Sequence, residues 1–346
     1  MRRAVPSLAV LPVSVLMLAS CAQPAEQAAE DAAGIGQGAV REQLSIATGG
    51  STGVYFPLGG ALGTVIEDNV EGQTGSAETT GASVENLRLI GNGDADIAIV
   101  QGDAAGQAFE GTAEFEGSPI ESYALAVFYP NVFHTVTLDS IAEDEGLECF
   151  RDVLGTRYSV GAPGSGNHAT TSAVFEALEM SMGDIEIENL GYAETDSALR
   201  GGQLDAGSWV VGEGHGGLTE LATTEDVHLI NMCDDEREAI TAASSSYTEH
   251  TIPGGTYPGV DEDTETIAVW NSLVVAGEFN EEQAYQITAA MFDNIDTLLA
   301  AHAPAEEYLV PETILNSPVP VHPGAARFYE EQGVELPEEL VVQTEG

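Results

Sequence analysis

Apolar and polar positions follow two rhythms along the chain, one of period two and one of period 3.6. The run Leu44-Ser-Ile-Ala-Thr48 predicts a short strand, and it opens into a Gly-rich turn, Gly49-Gly50-Ser51-Thr52-Gly53. Apolar residues then recur at helical spacing at Val54, Leu58, Leu62, Val65 and Ile66. A polar strand follows over residues 73–79. Ser83 predicts an N-cap for a helix that runs to Ile90 and closes at Gly91. Asp96-Ile-Ala-Ile-Val100 has the continuous apolar character of a buried strand. This half reads β-α-β-α-β.

The order recurs further on. Arg157-Tyr-Ser-Val160 predicts a strand leading to a second Gly-rich turn, Gly161-Ala-Pro-Gly-Ser-Gly166. A helix over 167–180, a strand over 185–190, a short helix over 194–200 and a closing strand over 205–211 complete the unit. Two such units predict two α/β lobes with parallel sheets. In each lobe the Gly-rich turn lies at the C-terminal end of the first strand, the edge where open α/β sheets bind ligands. Helix N-termini there offer free backbone N–H groups and a positive dipole end, suited to a small anion. The rest of the chain predicts a strand over 266–275, an amphipathic helix over 281–299 and a final helix over 324–331.

Charge narrows the function classes. The 346 residues hold 57 Asp and Glu against nine basic residues, all of them Arg, for a net charge of -48. Nucleic-acid binding needs a basic footprint that this chain lacks. The absence of Lys removes P-loop, Schiff-base and Ser-Lys chemistry. The acids are spread along the chain, as in a solvated surface adapted to high salt, where the Debye length falls to about 3 Å. Arg2 and Arg3 precede a mostly apolar stretch over 4–20, too short for a spanning helix and consistent with a signal peptide. It ends Leu18-Ala19-Ser20-Cys21, which resembles a lipoprotein lipobox, so Cys21 is the expected lipidation site. Residues 1–20 are thus read as signal peptide and 21–43 as a flexible tether. Export permits a disulfide between Cys149 and Cys233, and two separate buried thiols are the alternative.

Several motifs compete for the chemistry. Gly49-Gly50-Ser51-Thr52-Gly53 fits the G-x-S-x-G nucleophile elbow between strand and helix, which makes a serine hydrolase with Ser51 the main enzymatic alternative. Gly164-Ser165-Gly166-Asn167-His168-Ala169 fits a dinucleotide pattern, but Pro163 interrupts the strand exit. Neither H-E-x-x-H nor C-x-x-C occurs, so no metal or other cofactor is expected. Asp261-Glu262-Asp263 reads as a solvated loop. Trp209 lies at the end of a buried strand, as core or as a ligand contact.

Seven phrases, in order, carry a resemblance: Thr48-Gly-Gly-Ser-Thr-Gly-Val-Tyr55, Pro57-Leu-Gly-Gly60, Ser83-Val-Glu-Asn-Leu-Arg88, Gly93-Asp-Ala-Asp96, Val160-Gly-Ala-Pro-Gly-Ser-Gly166, Ile252-Pro-Gly-Gly-Thr-Tyr-Pro258 and Pro320-Val-His-Pro-Gly-Ala325. Over residues 44–335 the chain resembles the TAXI family, the extracytoplasmic solute receptors of one branch of the tripartite ATP-independent periplasmic (TRAP) transporters. The resemblance implies a two-lobed type II periplasmic-binding-protein fold, with lobe one at 44–136 and 270–346 and lobe two at 137–269. It also implies hinge strands near 133–138 and 266–274, and an interlobe cleft that takes a small organic anion or amino acid such as glutamate, glutamine or a dicarboxylate. The implied binding residues are Gly50, Ser51, Thr52, Tyr55, Thr80, Ser83, Asn86, Gln101, Ser165, Gly166 and Asn167, with Trp209 added from its position. The receptor is expected to be a non-enzymatic monomer, lipid-anchored outside the membrane, that delivers its ligand to an ion-gradient-driven permease. A binding lipoprotein of another importer or sensor is the nearer alternative. The chain departs from the family at Asn167-His168 and around Trp209 to His215.

Overall fold

The computed structural model describes residues 34–342. The expected signal segment, Cys21 and the first part of the tether lie outside the described residues. In chain order the first lobe builds β1 (Gln43–Ala47), α1 (Tyr55–Asn69), β2 (Thr74–Glu78), α2 (Ser83–Asn92), β3 (Ile97–Gln101) and α3 (Gly102–Glu110). The long strand β4 (Ser122–Leu138) carries the chain into the second lobe. There follow α4 (Asp139–Glu145), β5 (Arg157–Ser159), α5 (Gly166–Ala177), β6 (Glu186–Glu188), α6 (Tyr192–Arg200), β7 (Ala206–Val211), α7 (Gly216–Thr224), β8 (Val227–Ile230), α8 (Asp234–Ala243) and β9 (Tyr247–Ile252). Strand β10 (Thr264–Ala276) returns to the first lobe, which closes with α9 (Glu281–Asp293), α10 (Ile295–Ala301) and α11 (Pro323–Glu331).

The strands pair in the order β2-β1-β3-β10-β4-β7-β5-β6, with β8 added to β4 and β9 to β10. The outer pairs β1–β2, β1–β3, β5–β6 and β5–β7 are parallel, as the two βαβαβ units require. The centre is antiparallel, because β4 and β10 run in opposite directions between the lobes. One core gathers residues from β1 to β4, the far half of β10 and the C-terminal helices. Two others, on the two sides of the second lobe, draw on residues 132–269. Strand β3 is buried along its whole length, which explains its continuous apolar run. The result is a mixed α/β, two-lobed type II periplasmic-binding-protein fold with an interlobe cleft. No helix among the described residues is long and apolar enough to cross a membrane.

Some sequence expectations shift. Helix α2 runs past Gly91 and closes at Gly93, whose φ of 73° is left-handed; its N–H reaches the carbonyls of Leu89 and Ile90. Ser83 is the first helical residue, and Ala82 holds the cap position. The helix expected over 281–299 breaks at Asn294. There the side-chain amide donates to the Ala290 carbonyl at 2.8 Å, in competition with the helical ladder. The end of the expected tether is docked: Gly36 and Gly38 donate to the carbonyls of Gly277 and Glu278 at 2.8 and 2.7 Å. Cys149 and Cys233 form a disulfide with Cα atoms 5.5 Å apart. Beside it, Glu236 accepts from the N–H groups of Phe150, Arg151 and Cys233.

Candidate functional site

A cavity of about 420 Å³ lies between the lobes. The turn after β1 brings Gly50, Ser51 and Thr52 to it, and the start of α1 brings Tyr55. Thr80 and Gln101 join from the first lobe, and Ser165, Gly166 and Asn167 join from the second. Nine of the residues expected from the sequence therefore converge. The N-termini of α1, α2, α5 and α6 all open on this space. The first amides of a helix have no partner within it, so four such ends make a cradle of N–H donors with a positive potential. No Arg among the described residues lines the cavity and the chain has no Lys, so a carboxylate here would be held by neutral donors.

Three expected residues lie elsewhere. Asn86 is fully buried: its amide donates to the carbonyls of Thr48 and Ile99 at 2.6 and 2.8 Å, and its oxygen accepts from Thr80. It is a clip between β1 and β3, with no hydrogen-bonding capacity turned to the cleft. Ser83 accepts the backbone N–H of Gln101 at 3.0 Å and so fixes the end of β3. Trp209, 1% exposed, lies behind the cavity wall, stacked on the Tyr192 ring at 6.3 Å and 14°.

Two lining hydroxyls are already committed. Ser165 caps α5, donating to the Ala162 carbonyl at 2.6 Å and accepting from the His168 N–H at 3.1 Å. Thr80 donates to Asn86 and accepts from the Ala82 N–H. Ala82 itself has φ 78° and ψ -146°, a conformation that costs a residue with a side chain about 1–3 kcal/mol and turns this loop toward the cavity. Ser51 and Thr52 are exposed on the first turn, and no His hydrogen-bonds the Ser51 hydroxyl among the described residues.

Tyr129, Asn131, Tyr192 and Glu194 also line the cavity and were not expected. Tyr129 and Asn131 flank Pro130 in the middle of β4, where a proline within an apolar run marks an irregular strand. Tyr192 and Glu194 open α6. The internal repeat held that signal, since the turn after the second strand of lobe one, with Thr80, has its counterpart at Gly191–Glu194. The Tyr55 phenol donates to Asn271 Oδ1, and Asn271 Nδ2 donates to the Tyr129 carbonyl at 2.8 Å, which ties the first lobe to both hinge strands. Nearby, His302 rests on the Tyr129 ring at 4.4 Å, and burial pushes its pKa down to about 4. Burial also lowers the pKa of His215, whose ring meets Tyr192 edge-on. Both imidazoles are therefore neutral at pH 7 and add no cation to the site.

A larger hollow of about 890 Å³ opens on the other side of the interlobe contact, along the Ser244–Ser246 loop and Pro318. None of the residues expected at the site lines it. The one cluster of potential metal ligands among the described residues is Cys149, Cys233 and Glu236, and its sulfurs are joined in the disulfide.

This architecture defines a class: two α/β lobes, two crossing strands and a cleft rimmed by helix N-termini. The chain belongs to the NMT1-like family, whose model matches residues 46–333. Similar solved structures include PhnD1 from Prochlorococcus marinus (MIT 9301) in complex with methylphosphonate. It is 10% identical with a TM-score of 0.50, over 76% of this chain and 89% of that one. The periplasmic aliphatic sulphonate binding protein SsuA from Escherichia coli is 12% identical with a TM-score of 0.44, over 84% of each chain. The methionine binding protein MetQ is 12% identical with a TM-score of 0.43, over 76% of this chain and 96% of that one. At these identities the likeness concerns the fold.

Proposed function

We propose that this protein is the extracytoplasmic solute receptor of a TRAP transporter of the TAXI type. Cys21 would anchor it by lipid outside the membrane, and the first lobe would close on the second around the ligand. The ligand is a small organic anion or amino acid, with glutamate, glutamine and dicarboxylates in the range. Closure presents the loaded receptor to an ion-gradient-driven permease. The observation that carries this reading is the interlobe cavity, where four helix N-termini meet without a basic side chain. Its volume of about 420 Å³ suits a molecule of amino-acid size. PhnD1, which shares this fold and is bound to methylphosphonate, adds support for a receptor of a small anion. Ser51 then acts as a hydrogen-bond donor and not as a nucleophile. The acidic surface suits a host in high salt, where a sodium gradient is at hand.

A thermal-shift screen of the mature domain in about 2 M salt tests the reading, with amino acids, dicarboxylates and 2-oxo acids as ligands. A ligand that binds only the folded state raises the melting temperature by mass action. A shift confined to one class supports the receptor and identifies its cargo. No shift with any class, for protein first stripped by unfolding and refolding, would reject the ligand range. Labelling of Ser51 by a fluorophosphonate would instead favour the hydrolase.

A further inference from the structure

Gln101 faces the cleft with a polarity that is set from behind it. The side chain ends β3 and is 3% exposed. Its Nε2 donates to Thr170 Oγ1 at 2.8 Å, from the first lobe to the second. Thr170 Oγ1 in turn donates to Asp103 Oδ2. Asp103 is buried and collects two more donors, the Tyr247 hydroxyl on Oδ2 and the Ala104 N–H on Oδ1, both at 2.8 Å. With three donors converging on it, this carboxylate is an acceptor.

A threonine hydroxyl has one proton, and Thr170 gives it to Asp103. Its oxygen can then only accept from Gln101. The Gln101 amide must turn its nitrogen to Thr170, which leaves Oε1 beside Gly166 at the cavity lining, with no protein donor among the described residues. Asn131, also 3% exposed, lines the same space from β4 with its side-chain amide unpaired among the described residues. Glu194 adds a carboxylate at the rim. The site thus offers N–H donors at the helix ends and unfilled acceptors beside them.

We propose that the Asp103–Thr170 relay makes Gln101 a specificity residue, so that the cleft selects a small carboxylate bearing an ammonium or hydroxyl group over the matching 2-oxo acid. This deepens the receptor reading and rests on it. A keto oxygen facing Gln101 Oε1 leaves two acceptors opposed and a buried acceptor without a donor. Asp103 does not touch the cavity, and it acts as a positioning residue through Thr170.

The test compares dissociation constants within pairs that differ only at this group, such as alanine and pyruvate or glutamate and 2-oxoglutarate. The wild type should bind the amino member of its preferred pair about tenfold tighter or more. In Asp103→Asn the new amide can donate to Thr170, which frees the threonine proton for Gln101 Oε1 and turns Nε2 to the ligand. The preference should then vanish or reverse. In Thr170→Val it should shrink toward unity. Equal loss for both members, with the ratio unchanged, would overturn the relay, as would a wild type that prefers the 2-oxo acid. A wild type that binds no pair strikes the receptor reading instead. A ligand-free measurement then decides the relay alone, and its wild-type arm stands even where a variant fails to fold, since fast exchange in the wild type refutes the hydrogen bond. Hydrogen exchange of the Gln101 side-chain amide should be slow in the wild type and fast in Thr170→Val, and equal rates would refute the hydrogen bond.

Discussion

Gly166, at the start of α5 in the second lobe, lies so close to Gln101 and Ser83 of the first lobe that a Cβ would overlap both side chains. Its backbone is not left-handed, so alanine is permitted there by conformation and excluded only by the opposite lobe. Gly166→Ala should therefore fold normally without ligand yet resist closure. We expect about tenfold weaker binding or more, with a larger radius of gyration in solution scattering. Unchanged affinity would mean that the lobes do not approach at this point when ligand binds.

The two hydroxyls at the helix ends should separate in mutagenesis. The Thr52 hydroxyl is exposed on the cavity wall, so Thr52→Ala should lose a hydrogen bond to a charged ligand, about 1.5–3 kcal/mol of binding, and little stability. The Ser165 hydroxyl is committed to the cap of α5, so Ser165→Ala should cost about 1 kcal/mol of stability and less affinity. Titration calorimetry and thermal melts on both variants check this. The reverse pattern would place the ligand on Ser165.

The contrast between Thr52 and Asn86 shows where the sequence is legible. Gly-rich turns, helix periods and the repeated β-α-β-α-β order mark the elements and the edge at which they meet. They do not tell which face of a helix turns inward. Asn86, three residues into α2, spends its amide on two strands, whereas the Thr52 hydroxyl, in a turn, stays exposed on the cavity wall with no partner among the described residues. Trp209 is open to two readings for a related reason: its place at a strand end allows core or ligand contact, and Tyr192, from a helix start 17 residues earlier, covers it and makes it core. Asp103 could not be recognised at all, because its partners Thr170 and Tyr247 are brought to it only by the packing of one lobe on the other.

The disulfide joins residues 84 apart in the sequence, entirely within the second lobe. Closing a loop of that length restricts the unfolded chain and should contribute about 2–4 kcal/mol. Cys149→Ser with Cys233→Ser should lower the denaturant midpoint accordingly and leave the cavity intact. Equal midpoints for oxidised and reduced wild type would show that the bridge adds nothing to stability.

Acid should destabilise the protein through its buried histidines. Burial pushes the pKa values of His134, His302 and His322 down to about 4. These lie below the ordinary value of about 6.5, so between those limits the unfolded chain binds more protons. The stability these groups contribute is complete above pH 6.5 and is lost as pH falls toward 4. His134 alone, 1% exposed, corresponds to a loss on the order of 3 kcal/mol. Asp103 acts in the opposite sense, since burial raises its pKa and protonation then favours the folded state. Melts across pH 4–7 in about 2 M salt, where surface repulsion is screened, should show stability falling with acidity, and a flat profile would contradict the histidine shifts.

Salt should matter more than any single contact. A net charge of -48 on 346 residues, with most acids on the surface, repels itself at low ionic strength. The few Arg do not offset it locally: Arg237 is shared among Asp234, Glu249 and Glu265, and Arg327 between Glu281 and Glu282. At about 0.1 M salt the Debye length is about 10 Å and neighbouring acids interact; at molar salt it is about 3 Å and they largely do not. The melting temperature should therefore climb steeply from about 0.1 to 2 M sodium chloride. Potassium chloride should act alike, because screening depends on ionic strength and not on the cation. Glutamate or another anionic ligand should also bind faster as salt rises, the reverse of the behaviour of a basic cleft. A melting temperature that is the same in both buffers would show that the acids are accommodated without screening, and it would remove the case for a high-salt host.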